Sequence, residues 1–181
     1  MQARSRAPLR TSGLVLLELL VAGCVLALLV AMAAPSFSAV LQRLKLRTAA
    51  QALTSGLYAA RAEAYKRGGS VIFAAEDSSD LCESGKADSP WNCGWIAFAD
   101  ENDDGTRNGT ETVVFTGQPP LGIDVAEPRG ITRFKLDALG KFNGLSAFRF
   151  ALTSRVDKSI VGVVCVSSGG RIRTQYGKDE C

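Results

Sequence analysis

The sequence predicts an α+β chain, with a long N-terminal helix, apolar in its first half and amphipathic in its second, packed on an antiparallel β-sheet domain. Three observations predict it. Residues 14–35 are apolar apart from Glu18 and Ser-free up to Pro35. Over residues 36–67 apolar side chains return at three- and four-residue steps, without proline and with Gly56 as the one glycine, which is the period of a helix. After Gly69 the pattern shortens to β-prone runs separated by turn-rich connections.

Composition narrows what such a chain can do. Its 181 residues suit one ordinary domain plus an additional segment, and 46% hydrophobic with 22% charged residues excludes a disordered or collagen-like chain. There is no histidine, so no Ser-His-Asp or Cys-His pair and no histidine-bound zinc or haem can form. No nucleophile with an activating base is evident, and the chain is expected not to be an enzyme. The formal charge of +3 comes from Arg4, Arg6 and Arg10, because residues 14–181 carry 18 basic and 18 acidic side chains. Nucleic-acid binding would therefore need a local patch and not a global field.

Residues 1–13 read as a basic leader, and residues 14–35 as a transmembrane helix. At about 1.5 Å per residue that segment reaches about 33 Å, enough for a bilayer core. The arginines before it predict a cytoplasmic N-terminus and an exported C-terminal domain. A secretory signal peptide cut near Ala31-Met32-Ala33-Ala34 is the competing reading. Glu18 opposes it, since a carboxylate in hydrocarbon costs about 2.5–3.5 kcal/mol unless partnered, and a signal peptide's apolar region holds none. Residues 36–67 continue the helix, with Leu46, Ala49, Leu53, Leu57, Ala60 and Ala64 on its apolar face and Gly68-Gly69 ending it. Its basic face, Arg43 to Arg67, reads as solvated, or as a contact with neighbouring subunits or headgroups.

Residues 68–181 form the β-rich domain. Strands are predicted at 70–75, 95–99, 112–116, 131–136, 147–152, 160–166 and 171–174. Pro119-Pro120 and Pro128 predict a loop over 117–130. Of five cysteines, Cys24 lies in the apolar helix, while Cys82, Cys93, Cys165 and Cys181 lie in the exported part, where oxidation is expected. Four cysteines allow three pairings; Cys82 with Cys93 and Cys165 with Cys181 close the short local loops. Tetrahedral zinc is disfavoured by the lack of a C-x-x-C pair. Asp100, Asn102, Asp104, Gly105 and Glu111 match the spacing of a calcium loop, with oxygen ligands at alternate positions and a glycine at the sharp turn. Strands flank it instead of helices, so an unmetallated turn is the expectation and calcium the alternative.

The stretch Gly13-Leu14-Val15-Leu16-Leu17-Glu18 resembles the prepilin cleavage motif of type IV pilins and type II secretion pseudopilins. The resemblance implies cleavage after Gly13 by the prepilin peptidase, methylation of Leu14, and retention of the apolar helix, with Glu18 pairing to a neighbouring subunit's N-terminal amine to set assembly register. The block from Trp91-Asn92-Cys93-Gly94-Trp95 to Asp104-Gly105 is similar to a hairpin of the GspH/FimT family. Gly170-Arg171-Ile172-Arg173 resembles a glycine-arginine-x-arginine motif that binds DNA in some FimT-type minor pilins of naturally competent bacteria. Alternation along a strand puts Arg171 and Arg173 on one face, about 7 Å apart, with Lys178 near them. The arginines pairing with acids of neighbouring subunits is the other reading.

These resemblances imply a pilin fold and a minor pilin of a type IV pilus, a filament or tip subunit capturing double-stranded DNA for natural transformation. A type II secretion pseudopilin of the H type is the alternative. The implied partners are other major and minor pilins or pseudopilins, the prepilin peptidase and the inner membrane. The implied location is a single pass through the bacterial inner membrane, with the C-terminal domain in the periplasm and later at the cell surface.

Overall fold

The structure, a computed structural model, describes residues 12–76, 89–143 and 147–181. The leader's Arg4, Arg6 and Arg10, and Cys82, lie outside the described residues. One helix, α1, runs Ser12–Arg67, followed by strands β1 Val71–Ala75, β2 Trp95–Ala99, β3 Val113–Gly117, β4 Ile123–Ala126, β5 Arg133–Leu136, β6 Phe148–Ser154, β7 Val161–Val166 and β8 Ile172–Tyr176. A 3-10 turn, Pro90–Asn92, precedes β2. The chain forms two compact units, Met1–Val40 and Leu41–Cys181.

In the first unit the described side chains at 15–29 are exposed on every side of α1, leucines and valines included. Glu18 is exposed among them, and Cys24 is a free, exposed thiol. Among the described residues no helix is long and apolar enough to cross a membrane. Of the segment read above as membrane-spanning, the side chains are described over 15–29.

The second unit is built on the rest of α1. Leu46, Ala49, Leu53, Leu57, Ala60 and Ala64 are all buried, as the helical period requires. The helix ends in a Schellman cap: Gly68 takes φ +78°, and the Gly69 N–H donates to the Ala64 carbonyl at 2.8 Å. Against this face lie two four-stranded antiparallel sheets, in the orders β3-β2-β1-β5 and β4-β6-β7-β8. Gly56 lets the first of them close on the helix, since a Cβ there would meet the Phe115 ring at 2.9 Å and the Phe73 ring at 3.1 Å. Between the sheets sits Trp91, carried by the 3-10 turn that the Ser89 hydroxyl caps, with Phe73, Phe134 and Phe150 around it.

The structure corrects one expectation outright. Within 117–130, read from its prolines as loop, Ile123–Ala126 is a strand, paired from Ile123 opposite Ser154 to Ala126 opposite Ala151. It is four residues long and bracketed by Pro120 and Pro128, too short for its alternation to stand out in the sequence. Its outer edge is held by a side chain, because the Asn92 amide donates to Asp124 and accepts from the Val125 N–H at 2.6 Å. The seven predicted strands all occur, within two residues of the expected ends, divided between two sheets.

Cys165 and Cys181 form a disulfide, with Cα atoms 5.8 Å apart. It closes a loop for which the chain-entropy account gives about 3 kcal/mol, tying the C-terminal tail to β7. Cys93 is also disulfide-bonded; its expected partner, Cys82, lies outside the described residues.

Candidate functional site

Three places hold the residues singled out in the sequence. At the N-terminus, Gly13, Leu14 and Glu18 fall within the first two turns of α1.

The acidic loop joins β2 to β3. Carboxylate oxygens of Asp100, Asp104 and Glu111 come within 4.8 Å of one another, with Asp100 and Glu111 buried and Asp104 exposed. The loop's own N–H groups serve them. Asp100 accepts from the backbone of Asp104 and Gly105, each at 3.0 Å, and Glu111 accepts from the backbone of Glu101 and Asn108 at 3.2 and 2.9 Å. Asn102 donates to Asp104 at 2.7 Å and accepts from the Asp104 N–H, so its carbonyl oxygen turns to the loop backbone. The turn needs left-handed backbone at Asp103 and Gly105, φ +62° and +73°. Lys135 and Arg133 of β5 anchor it from outside, through Asp103 and the Gly105 carbonyl. Converging carboxylates can ligate a hard cation. Here each one is engaged by donors of the turn itself.

The Thr106 hydroxyl, then its N–H and the Asn102 amide, hold the Asp104 carboxyl below the usual carboxylate range. A lowered folded-state pKa stabilises the loop above the unfolded value of about 3.9, and that contribution is lost as pH falls through the lowered one. Amide exchange at Thr106, whose N–H donates to Asp104, corrected for the intrinsic rate, is therefore expected to rise between pH 5 and pH 2.5. Thr106→Val should move the Asp104 titration upward; an NMR titration showing it unmoved would contradict the hydroxyl's role.

The third place lies on the second sheet. The turn between β7 and β8 is closed by Ser167, whose N–H donates to the Arg171 carbonyl and whose hydroxyl accepts from the Arg171 N–H at 3.1 Å. Gly170 takes φ +77°, and Arg61 of α1 donates to the carbonyls of both Gly170 and Gly140. The glycine thus serves both the turn and its clamp, and the turn launches β8. Arg171 and Arg173, both exposed and flanking the buried Ile172, line one cavity of about 490 Å³. Arg149 of β6 lines it too. The register explains why: Arg149 lies opposite Cys165, and Cys165 opposite Arg173, so the three form a row across the sheet. Lys178, exposed beyond the end of β8, does not line that cavity.

Among the described residues Arg149, Arg171 and Arg173 make no ion pair. The acidic side chain in the cavity wall, Glu127, is already taken by the Arg129 guanidinium at 3.0 Å and by the N–H groups of Arg129 and Ile131. Three guanidiniums without acidic partners in one concavity suit an anion with several acceptor oxygens. Sequence reasoning missed Arg149. Alternation in 147–152 does turn it away from Phe148 and Phe150, but only cross-strand register brings it beside Arg173.

Comparison with known proteins agrees with this architecture. The model of the family described as "Type II transport protein GspH" matches residues 49–170. Two crystal structures of the type IV minor pilin FimU of Pseudomonas aeruginosa, strain PAO1, share the fold. One is 19% identical with a TM-score of 0.55, covering 75% of this chain and 91% of that one. The other is 17% identical with a TM-score of 0.53, covering 72% and 93%. No curated protein matches the sequence significantly. With a family match over more than half its length and two antiparallel sheets packed on a helix as in FimU, this chain belongs to the GspH family and has a pilin fold.

Proposed function

We infer that this chain is a minor pilin of a type IV pilus, a structural subunit that also captures DNA through Arg171 and Arg173. The observation carrying the reading is the pair of exposed arginines held by the Arg61-clamped turn, without acidic partners among the described residues. Family membership and the likeness to a minor pilin support the filament role.

The anchor is argued from α1. A helix apolar on every side belongs in a core or a bilayer, and residues 15–29 expose leucine and valine all round. In this reading residues 14–35 span the inner membrane and the prepilin peptidase cuts after Gly13. Leu14 becomes the methylated N-terminus, Glu18 pairs with a neighbouring pilin, and the domain passes from the periplasm to the filament. The domain's helix face, Leu46 to Ala64, lies on the same helix as that apolar segment, which favours retention over removal as a signal peptide. Cys82 and Cys93 pair as the second disulfide. A second reading, a pseudopilin of the H type, is favoured by the description of the matched family as a type II transport protein.

DNA binding separates the two. Full-length chain in detergent should bind a 30-base-pair duplex with an affinity that falls as salt rises. Each phosphate contact contributes about 0.9 to the logarithmic salt slope, so Arg171→Gln with Arg173→Gln should flatten it by about 2. A folded chain that ignores DNA at 50 mM salt would favour the pseudopilin.

A further inference from the structure

We propose that the arginine cavity is a site for an unpaired nucleotide, so that the chain takes hold of DNA at a single-stranded segment or frayed end in preference to uninterrupted duplex. The inference rests on the DNA reading above and deepens it by naming the form of nucleic acid.

Arg171 and Arg173 stand exposed at the rim, whereas Arg149 and Cys165, two strands and one strand inward, are half-buried. Neighbouring strands are about 4.8 Å apart and alternate residues about 7 Å, so the three arginine Cα atoms form a triangle with sides of about 7 to 12 Å. Long side chains from such a triangle can meet on one phosphate or hold two successive ones. The space between them is not purely polar: Pro128, Ala147 and the Cys165–Cys181 disulfide supply apolar wall. A cavity of about 490 Å³ falls within the range of about 300–1,000 Å³ that small-molecule sites occupy.

Charge and wall together select the ligand. A duplex is a stiff rod with its phosphates outside and its bases stacked within, so it can touch the rim arginines but cannot lay a base face on the inner wall. An unpaired nucleotide brings both groups at once, a phosphate for the guanidinium donors and a flat π surface for the apolar wall and guanidinium planes. Arg149, half-buried, stands deeper in the cavity than the two exposed arginines. The disulfide matters for the same reason, because Cys181 fixes the tail as one side of the cavity.

The test uses two fluorescent probes on the full-length chain in detergent at one salt concentration: a blunt 30-base-pair duplex, and a 20-base-pair duplex with a ten-thymidine 3′ tail. The tailed probe has fewer phosphates, so charge alone predicts weaker binding. The proposal predicts binding about tenfold tighter, the size of one stacked base. Arg149→Gln should bring the tailed probe down to the level of the blunt one, while Arg171→Gln with Arg173→Gln weakens both. Circular dichroism establishes that each variant is folded. Equal affinity for the two probes, or an Arg149→Gln loss that is the same for both, overturns the inference and leaves DNA capture standing. Absence of binding to either probe by the folded chain overturns DNA capture, and the inference with it.

Discussion

Trp91→Ala is expected to lower the unfolding free energy of the domain by about 3–5 kcal/mol, a large part of the roughly 5–15 kcal/mol that single domains possess. The indole is buried between the two sheets, its centroid 4.7 Å from that of Phe150 in an edge-on contact and 5.8 Å from those of Phe73 and Phe134. Those three rings belong to β1, β5 and β6, so truncation opens a cavity where strands of both sheets meet. The Nε1 proton also donates to the Ile131 carbonyl at 3.0 Å, leaving that oxygen unmet in the variant. Trp95 supplies an internal comparison. It is just as buried, yet its Nε1 has no partner among the described residues. Trp91→Phe should therefore cost more than Trp95→Phe by about one hydrogen bond, 0.5–1.5 kcal/mol. Urea unfolding followed by circular dichroism measures all three, and a Trp91→Ala loss below about 1 kcal/mol would deny the residue its central place.

Glu18→Ala is expected to abolish incorporation into filaments while the chain still reaches the membrane. Removing a carboxylate from an apolar segment relieves a cost of about 2.5–3.5 kcal/mol, so insertion of the single chain should improve, not fail. On the proposed reading, what disappears is the partner for a neighbouring subunit's N-terminal amine. In hydrocarbon that charge pair is worth forming only at one axial offset, which is how a single residue can set register. Quantifying the variant in sheared filaments against its level in the membrane fraction decides the matter. Wild-type amounts in the filaments would show that register is set elsewhere.

Most of the scaffold was legible because local patterns report burial directly. The helical period of Leu46 to Ala64 identified the face that packs, and Gly68-Gly69 the turn that ends it, since both depend on a few consecutive residues. The pairing of Cys165 with Cys181 was likewise a matter of short loops. The strand at Ile123–Ala126 was hidden, because its stability comes from β6 across one edge and the Asn92 side chain along the other. Two prolines spoke louder locally than either. In the acidic loop, spacing alone matched a calcium site; only the folded backbone showed the carboxylates accepting N–H bonds from their own turn.

The candidate site divides in the same way. By itself the sequence determined that the chain cannot use histidine chemistry, that an apolar helix leads into an amphipathic one, and that Arg171 and Arg173 fall on one side of the chain, opposite Ile172. Those are consequences of composition and of periods two and 3.6, readable one segment at a time. The tertiary structure alone decided that Arg149 joins them, that Glu127 is already occupied by Arg129, and that Arg61 clamps the Gly170 turn. Each of these depends on register or contact between residues about twenty to more than a hundred positions apart, or on which neighbour a charge finds. A row across a sheet is set by the hydrogen bonds of the paired strands, and no period within a single strand records it.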